Sequence, residues 1–100
     1  MFAYVWEFTV AAERRAEFER AYGDEGEWVA LFRRSSDYLG TDLLRDRADP
    51  GRYLTVDRWR SAAARDAFRA LHAEAIAAID ARCEVFTLAE RHLGGFDRVD

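Results

Sequence analysis

Residues Phe2 to Val10 alternate strictly, with Phe2, Tyr4, Trp6, Phe8 and Val10 on one side and Ala3, Val5, Glu7 and Thr9 on the other. Side chains of an extended strand point to opposite faces with a period of two, so this segment is a strand with one heavily aromatic side. Such a side needs a covering layer, and helical patterns later in the chain supply it. Arg14 to Tyr22 places Phe18, Ala21 and Tyr22 at helical spacing, and beyond Gly23 and Gly26 the pattern resumes with Trp28, Leu31 and Phe32. This reads as a broken helix or two short ones, the glycines acting either as helix ends or as points of mobility. Tyr38 to Arg47 and Arg52 to Arg60 read as a hairpin closed by Ala48-Asp49-Pro50-Gly51, with proline at its preset φ and glycine at the positive φ of a type II turn. Ser61 is a good N-cap for one long Ala-rich helix reaching Arg82. Ala64, Phe68, Leu71, His72, Ala75, Ile76, Ile79 and Cys83 fall in one arc of that helix, with Asp66, Arg69, Glu74 and Asp80 away from it. Glu84 to Leu93 resumes strand character and Gly94-Gly95 ends it, which gives one domain over residues 1–96 and a short polar tail over 97–100.

The order β-α-β-β-α-β predicts an α+β, ferredoxin-like fold with a four-stranded antiparallel sheet and both helical segments on one face. The first and third strands are expected as parallel neighbours joined by a right-handed crossover. Helices cover only one side of the sheet, yet the other side carries Ala3 and Val5, Leu54 and Val56, and a parity set of the second strand containing Leu39, Thr41 and Leu43. An apolar second face calls for a second cover, and a sheet-to-sheet homodimer is the simplest one. Glu7 and Arg58 are expected to pair near that seam.

Composition narrows the function. Half of the 100 residues are hydrophobic and 14 are aromatic, enough to fill one compact core. All 15 basic residues are arginine against 19 acidic ones, and a net charge of −4 argues against nucleic acid, whose phosphates require a basic surface. No apolar run is long enough to span a bilayer and no basic segment followed by an apolar stretch opens the chain, so membrane partners are not expected and the location is read as cytoplasmic. The lone Cys83 permits no internal disulfide. There is no GxGxxG, no phosphate-binding GKS or GKT and no recognisable metal motif, so no cofactor and no metal are expected.

The segments Val5-Trp6-Glu7-Phe8-Thr9-Val10, Tyr38-Leu39-Gly40-Thr41 with Leu43-Leu44-Arg45-Asp46, and Tyr53-Leu54-Thr55-Val56-Asp57-Arg58-Trp59 followed by Ser61 and Phe68 resemble the antibiotic biosynthesis monooxygenase domain family. The resemblance covers nearly the whole chain. It implies a dimeric α/β barrel in which two sheets pack face to face and each subunit keeps a pocket between its own sheet and helices. It also implies a cofactor-independent monooxygenase acting on an electron-rich aromatic such as an anthrone, a quinol or a polyketide-like molecule. Heme-degrading relatives carry an Asn where this chain has Trp6, a departure that argues against heme degradation. Related barrels include polyketide cyclases and non-catalytic small-molecule-binding domains, and shared architecture does not choose among them.

Within that frame the candidate catalytic residues are His72, Trp59 and Asp57. His72 lies in the apolar arc of the long helix and is either a pocket-facing base, with an unperturbed pKa of roughly 6.5, or a histidine at the core edge. Asp57 alternates with Thr55 and Trp59; it is either an acid pointing into the pocket or a strand-end carboxylate paired with Arg60 or Arg52. Tyr4, Trp6, Phe8 and Phe68 are candidate substrate-binding residues, with Trp28 and Tyr38 at the mouth, and the alternative for each ring is plain core filling. Buried indole N–H groups of Trp6 and Trp59 would need a partner, which a ligand oxygen could supply. His92 is expected at the surface near the end of the last strand. A substrate that reduces O2 unaided needs a base, a donor for the developing oxyanion and dry apolar walls.

Overall fold

A computed structural model describes residues 1–100. Strand β1 (Phe2–Val10) leads through a short 3-10 turn (Ala12–Arg14) into helices α1 (Arg15–Tyr22) and α2 (Glu27–Phe32), then β2 (Tyr38–Arg45), β3 (Arg52–Trp59), α3 (Ala62–Leu71), α4 (Ala73–Cys83), a 3-10 turn (Glu84–Phe86) and β4 (Thr87–Asp97). The sheet order is β2-β3-β1-β4, and each pair of neighbours is antiparallel.

The expected adjacency of β1 and β3 holds, but not their parallel direction. The helical crossover from β1 delivers β2 parallel to it two places away, and β3 returns through the hairpin to fill the gap antiparallel to both. The hairpin turn also differs from expectation. Arg52 N–H bonds to Asp49 C=O at 2.9 Å around Pro50 and Gly51. Positive φ occurs only at Gly40 and Gly94, so Gly51 does not supply a type II turn. Asp46 instead accepts from the Ala48 and Asp49 amides at 2.8 and 3.3 Å and holds the loop in shape.

Ser61 caps α3 as its position predicts, accepting from the Ala64 amide at 3.1 Å. The single long helix is divided at His72, whose φ of −112° and ψ of 26° are not helical. A straight helix over 62–83 would run about 33 Å; the bend lets Phe68 on one segment and Ile76, Ile79 and Cys83 on the other all reach one core. Leu71, placed in the buried arc by the straight wheel, ends α3 and is 79 % exposed. The last strand begins later than expected and runs on through Gly94-Gly95 to Asp97. A register shift opposite Val5 and Trp6 absorbs the extra residue there. At Gly95 a Cβ would stand 2.7 Å from the Phe2 ring, so any larger residue there would have to displace that ring.

The break between α1 and α2 is a close approach. A Cβ on Gly26 would lie 2.1 Å from the Ala21 carbonyl oxygen, so the second helix can start this near the first only with glycine there. Tyr53, 1 % exposed, donates to Glu19 on α1 at 2.5 Å and ties that helix to the sheet.

On the outer face Ala3, Val5, Leu54 and Val56 are half-buried, flanked by exposed Leu39, Leu44 and Phe96. Thr41 and Leu43, assigned to this face by simple alternation, lie on the helix side. The irregular pairing between Tyr38 and Gly40 advances the register by one residue. Glu7 pairs with Arg52 at 2.6 Å and Arg91 at 3.4 Å rather than with Arg58. Arg58 sits opposite Ala3, four residues and about 13 Å along the strand from Glu7, and bonds to Asp42.

Candidate functional site

Antiparallel register sets residues of neighbouring strands side by side, so four rows cross the inner face of the sheet. At one end Tyr38, Trp59 and Phe2 align, and at the other Arg45, Tyr53, Phe8 and Glu90. Trp59, Tyr53 and Phe8 in these end rows are 2 %, 1 % and 4 % exposed and belong to the core. The two middle rows are more polar: Thr41, Asp57 and Tyr4, then Leu43, Thr55, Trp6 and His92. Over them lies a cavity of about 140 Å³, walled by Trp28 and Phe32 of α2 and Ile76 of α4, and roofed by Arg65, Phe68 and Arg69 of α3. Asp80 and Glu90 complete one side.

Asp57 is the polar centre of this floor. Its Oδ1 accepts from Thr41 Oγ1 at 2.6 Å, and since that hydroxyl has given its proton to Asp57, Tyr38 OH is the donor across the 2.5 Å contact to Thr41. No cation lies within ion-pair distance of Asp57, because Arg60 pairs with Asp37 and Arg52 with Glu7 and Asp46. Burial pushes its pKa up to about 6, against the opposing pull of the Thr41 hydrogen bond and the positive charges of Arg65 and Arg58. A carboxyl of that kind exchanges a proton near neutral pH, as a general base requires.

Arg65 lies over Tyr4 with its guanidinium carbon 3.3 Å from the ring centroid. Its side chain is 12 % exposed, and its ion pair is a 3.5 Å contact to neighbouring Asp66. Burial lowers its pKa from the ordinary arginine value. Burial also raises the hydroxyl of Tyr22, in the cavity lining, and the thiol of Cys83 behind it, which keeps both neutral.

The sequence model of the antibiotic biosynthesis monooxygenase family matches residues 1–79. The chain belongs to this family. As an antibiotic biosynthesis monooxygenase domain it superposes on SnoaB, a cofactor-independent oxygenase from Streptomyces nogalater, with a TM-score of 0.79 and 24 % identity over 99 % of this chain and 93 % of that one. A Deinococcus radiodurans protein assigned to the same family gives a TM-score of 0.76 at 14 % identity, covering 100 % of this chain and 94 % of that one. One from Bordetella bronchiseptica gives 0.74 at 20 %, covering 98 % and 96 %. At these identities the likeness is one of fold. Comparison with curated proteins finds none that matches.

In this monooxygenase-family domain Tyr4, Trp6, Phe8, Trp28, Asp57, Trp59 and Phe68 all line the cavity. Tyr38 does not; it packs on Phe32 and Trp59 and reaches the site through Thr41. His72 is outside the lining as well. It stands half-buried at the helix bend, with its ring 4.3 Å from that of Phe68. His92 is exposed but lies on the inner side of the edge strand, its ring 4.3 Å from Tyr4 and 5.2 Å from Trp6. Among the indoles, the buried N–H without a partner is that of Trp28.

Sequence reasoning missed Thr41, Arg65 and Arg69. The signal was present: Arg65 precedes the arc residue Phe68 by three positions and follows Ala64 directly, so it shares their flank of the helix. Arg69 is the one of the three that the straight-helix wheel sets away from the apolar arc.

Proposed function

We propose that this domain is a cofactor-independent monooxygenase of an electron-rich aromatic, an anthrone, quinol or polyketide-like molecule, with Asp57 as its base. The observation that carries the reading is a carboxyl with a pKa of about 6 and no ion-pair partner, held by Thr41 on the floor of an aromatic cavity. Asp57 removes a proton from the activated C–H or O–H of the substrate, and the resulting anion is electron-rich enough to reduce O2. For an anthrone, oxygen adds at the ring methylene to give a hydroperoxide. Loss of the second C–H proton then breaks the O–O bond and yields the quinone carbonyl, the other oxygen atom leaving as water with the proton that Asp57 first took up. The walls of Trp6, Trp28, Phe32, Trp59 and Phe68 exclude water from the anion and offer faces for a flat ring. A closed apolar cavity of roughly 150 Å³ holds one benzene. A partly open site of about 140 Å³ therefore encloses one ring of a larger molecule and leaves the rest at the mouth.

We further propose that two copies associate through the outer sheet face. Ala3, Val5, Leu54 and Val56 form an apolar strip that no helix of the same chain covers. Its polar border of Glu7, Arg52, Arg58 and Asp42 is already internally paired and needs no outside counter-ion.

The test is oxygen uptake by chelator-treated protein with an anthrone and a dihydroxynaphthalene, corrected for autoxidation. Protein-dependent uptake supports the oxygenase. A product formed at the same rate without oxygen would point to a cyclase-type reaction, and binding without turnover to a non-catalytic domain.

A further inference from the structure

We propose that the substrate carries a carboxylate and that this group docks on the guanidinium of Arg65, with Arg69 beside it, at the roof of the cavity. The inference rests on the reading of the cavity as the substrate site and adds the charge of the molecule that fills it. Arg65 is nearly buried, and its weak contact goes to Asp66, which follows it on the helix and is 73 % exposed. Asp57, Asp80 and Glu90 all line the same cavity, yet none pairs with it. A guanidinium taken out of water is costly unless it gains a partner, and the partner present here is the face of Tyr4.

Stacking on a ring fixes the plane of the guanidinium and leaves its N–H edge available. That edge matches the two oxygens of a carboxylate and forms paired, charge-assisted hydrogen bonds with it. Arg69, one helical turn on and also in the lining, adds a second positive charge at a spacing where like charges repel. An oxyanion formed briefly during reaction is served by one donor. Arg65, which no carboxylate of the cavity pairs with, is better matched by a charge the substrate bears throughout, while Arg69 is exposed and acts on Asp80 as well. Asp80 and Glu90 on the side wall would repel a carboxylate placed near them, so the same arrangement sets one orientation of the ring.

The probe pair is a naphthoate and the corresponding naphthalenemethanol, which differ in charge but little in shape. Their affinities are measured by calorimetry on wild-type protein and on Arg65→Gln, Arg65→Lys and Arg69→Ala, with circular dichroism as the control for folding. Wild type is expected to favour the naphthoate by about tenfold to a hundredfold, the range charge-assisted hydrogen bonds supply. Arg65→Gln should bring the two probes within about twofold, the loss falling mainly on the naphthoate, and Arg65→Lys should keep part of the preference. Equal affinities in wild type overturn the proposal whether or not any variant folds, as does a preference that survives Arg65→Gln. The binding measurement needs no oxygen. A naphthoate preference without oxygen uptake would therefore sink the oxygenase reading alone, and uptake without any preference would sink this inference alone.

Discussion

Replacing Asp57 by asparagine should make the protein more stable at neutral pH. In the folded chain the carboxyl of Asp57 is raised from 3.8 to about 6, chiefly by burial, so it holds its proton more tightly folded than unfolded. Ionising it therefore costs stability: the cost is absent below about pH 4, grows as pH rises, and is complete above about pH 6. At 1.36 kcal/mol per pH unit the full cost is at most about 3 kcal/mol. Asparagine cannot ionise, keeps an oxygen to accept the Thr41 hydroxyl, and fills the same space. Asp57→Asn should therefore exceed wild type by up to about 3 kcal/mol at pH 8 and by less than about 1 kcal/mol at pH 4. Urea denaturation at both pH values measures this difference directly. An asparagine variant no more stable at pH 8, or ahead by the same margin at both pH values, would refute the claim that Asp57 is held ionised against its environment.

His72→Ala should leave turnover intact while costing about 0.5–1.5 kcal/mol from the lost ring contact with Phe68; steady-state rates and a thermal melt check both parts. Gly26→Ala forces a Cβ against the Ala21 carbonyl and should cost about 1–3 kcal/mol, seen as a Tm lowered by several degrees. If two copies associate as proposed, Val56→Glu puts a charge in the outer apolar strip and should convert that dimer to a folded monomer, read by light scattering coupled to size exclusion.

Much of this fold is legible in local pattern. The alternation of Phe2 to Val10 places the aromatic floor, the Ser61 cap starts α3, and the order of elements defines the topology. What local pattern omits is where the chain departs from ideal repeats. A wheel drawn for one straight helix puts His72 and Leu71 in the buried arc, whereas the helix breaks at His72, which is half-buried outside the cavity, and Leu71 is exposed. Alternation through β2 assigns Thr41 to the wrong face because the irregularity beside Gly40 shifts every later side chain. Pairing direction is likewise a property of two distant segments, so neither β1 nor β3 alone shows that they run antiparallel. In the site, the aromatic floor of Tyr4, Trp6, Phe8 and Trp59 follows from strand parity, as does Asp57 among them, and the helical spacing of Trp28 and Phe68 supplies part of the cover. Arg65 does not, since buried cations are rare and a charge on an amphipathic helix is read as solvated until Tyr4 is seen beneath it.

The central claim is that Asp57 is the base of this cavity, and the measurement that tests it most directly is the rate of oxygen uptake against pH with a saturating quinol substrate, for wild type and Asp57→Asn. A base must be ionised to act, so the wild-type rate should rise through about pH 6 to a plateau as Asp57 loses its proton. The asparagine variant should be slower by about a hundredfold or more and should lack that rise. A wild-type rate indifferent to pH around 6, or an asparagine variant as fast as wild type, would contradict the account.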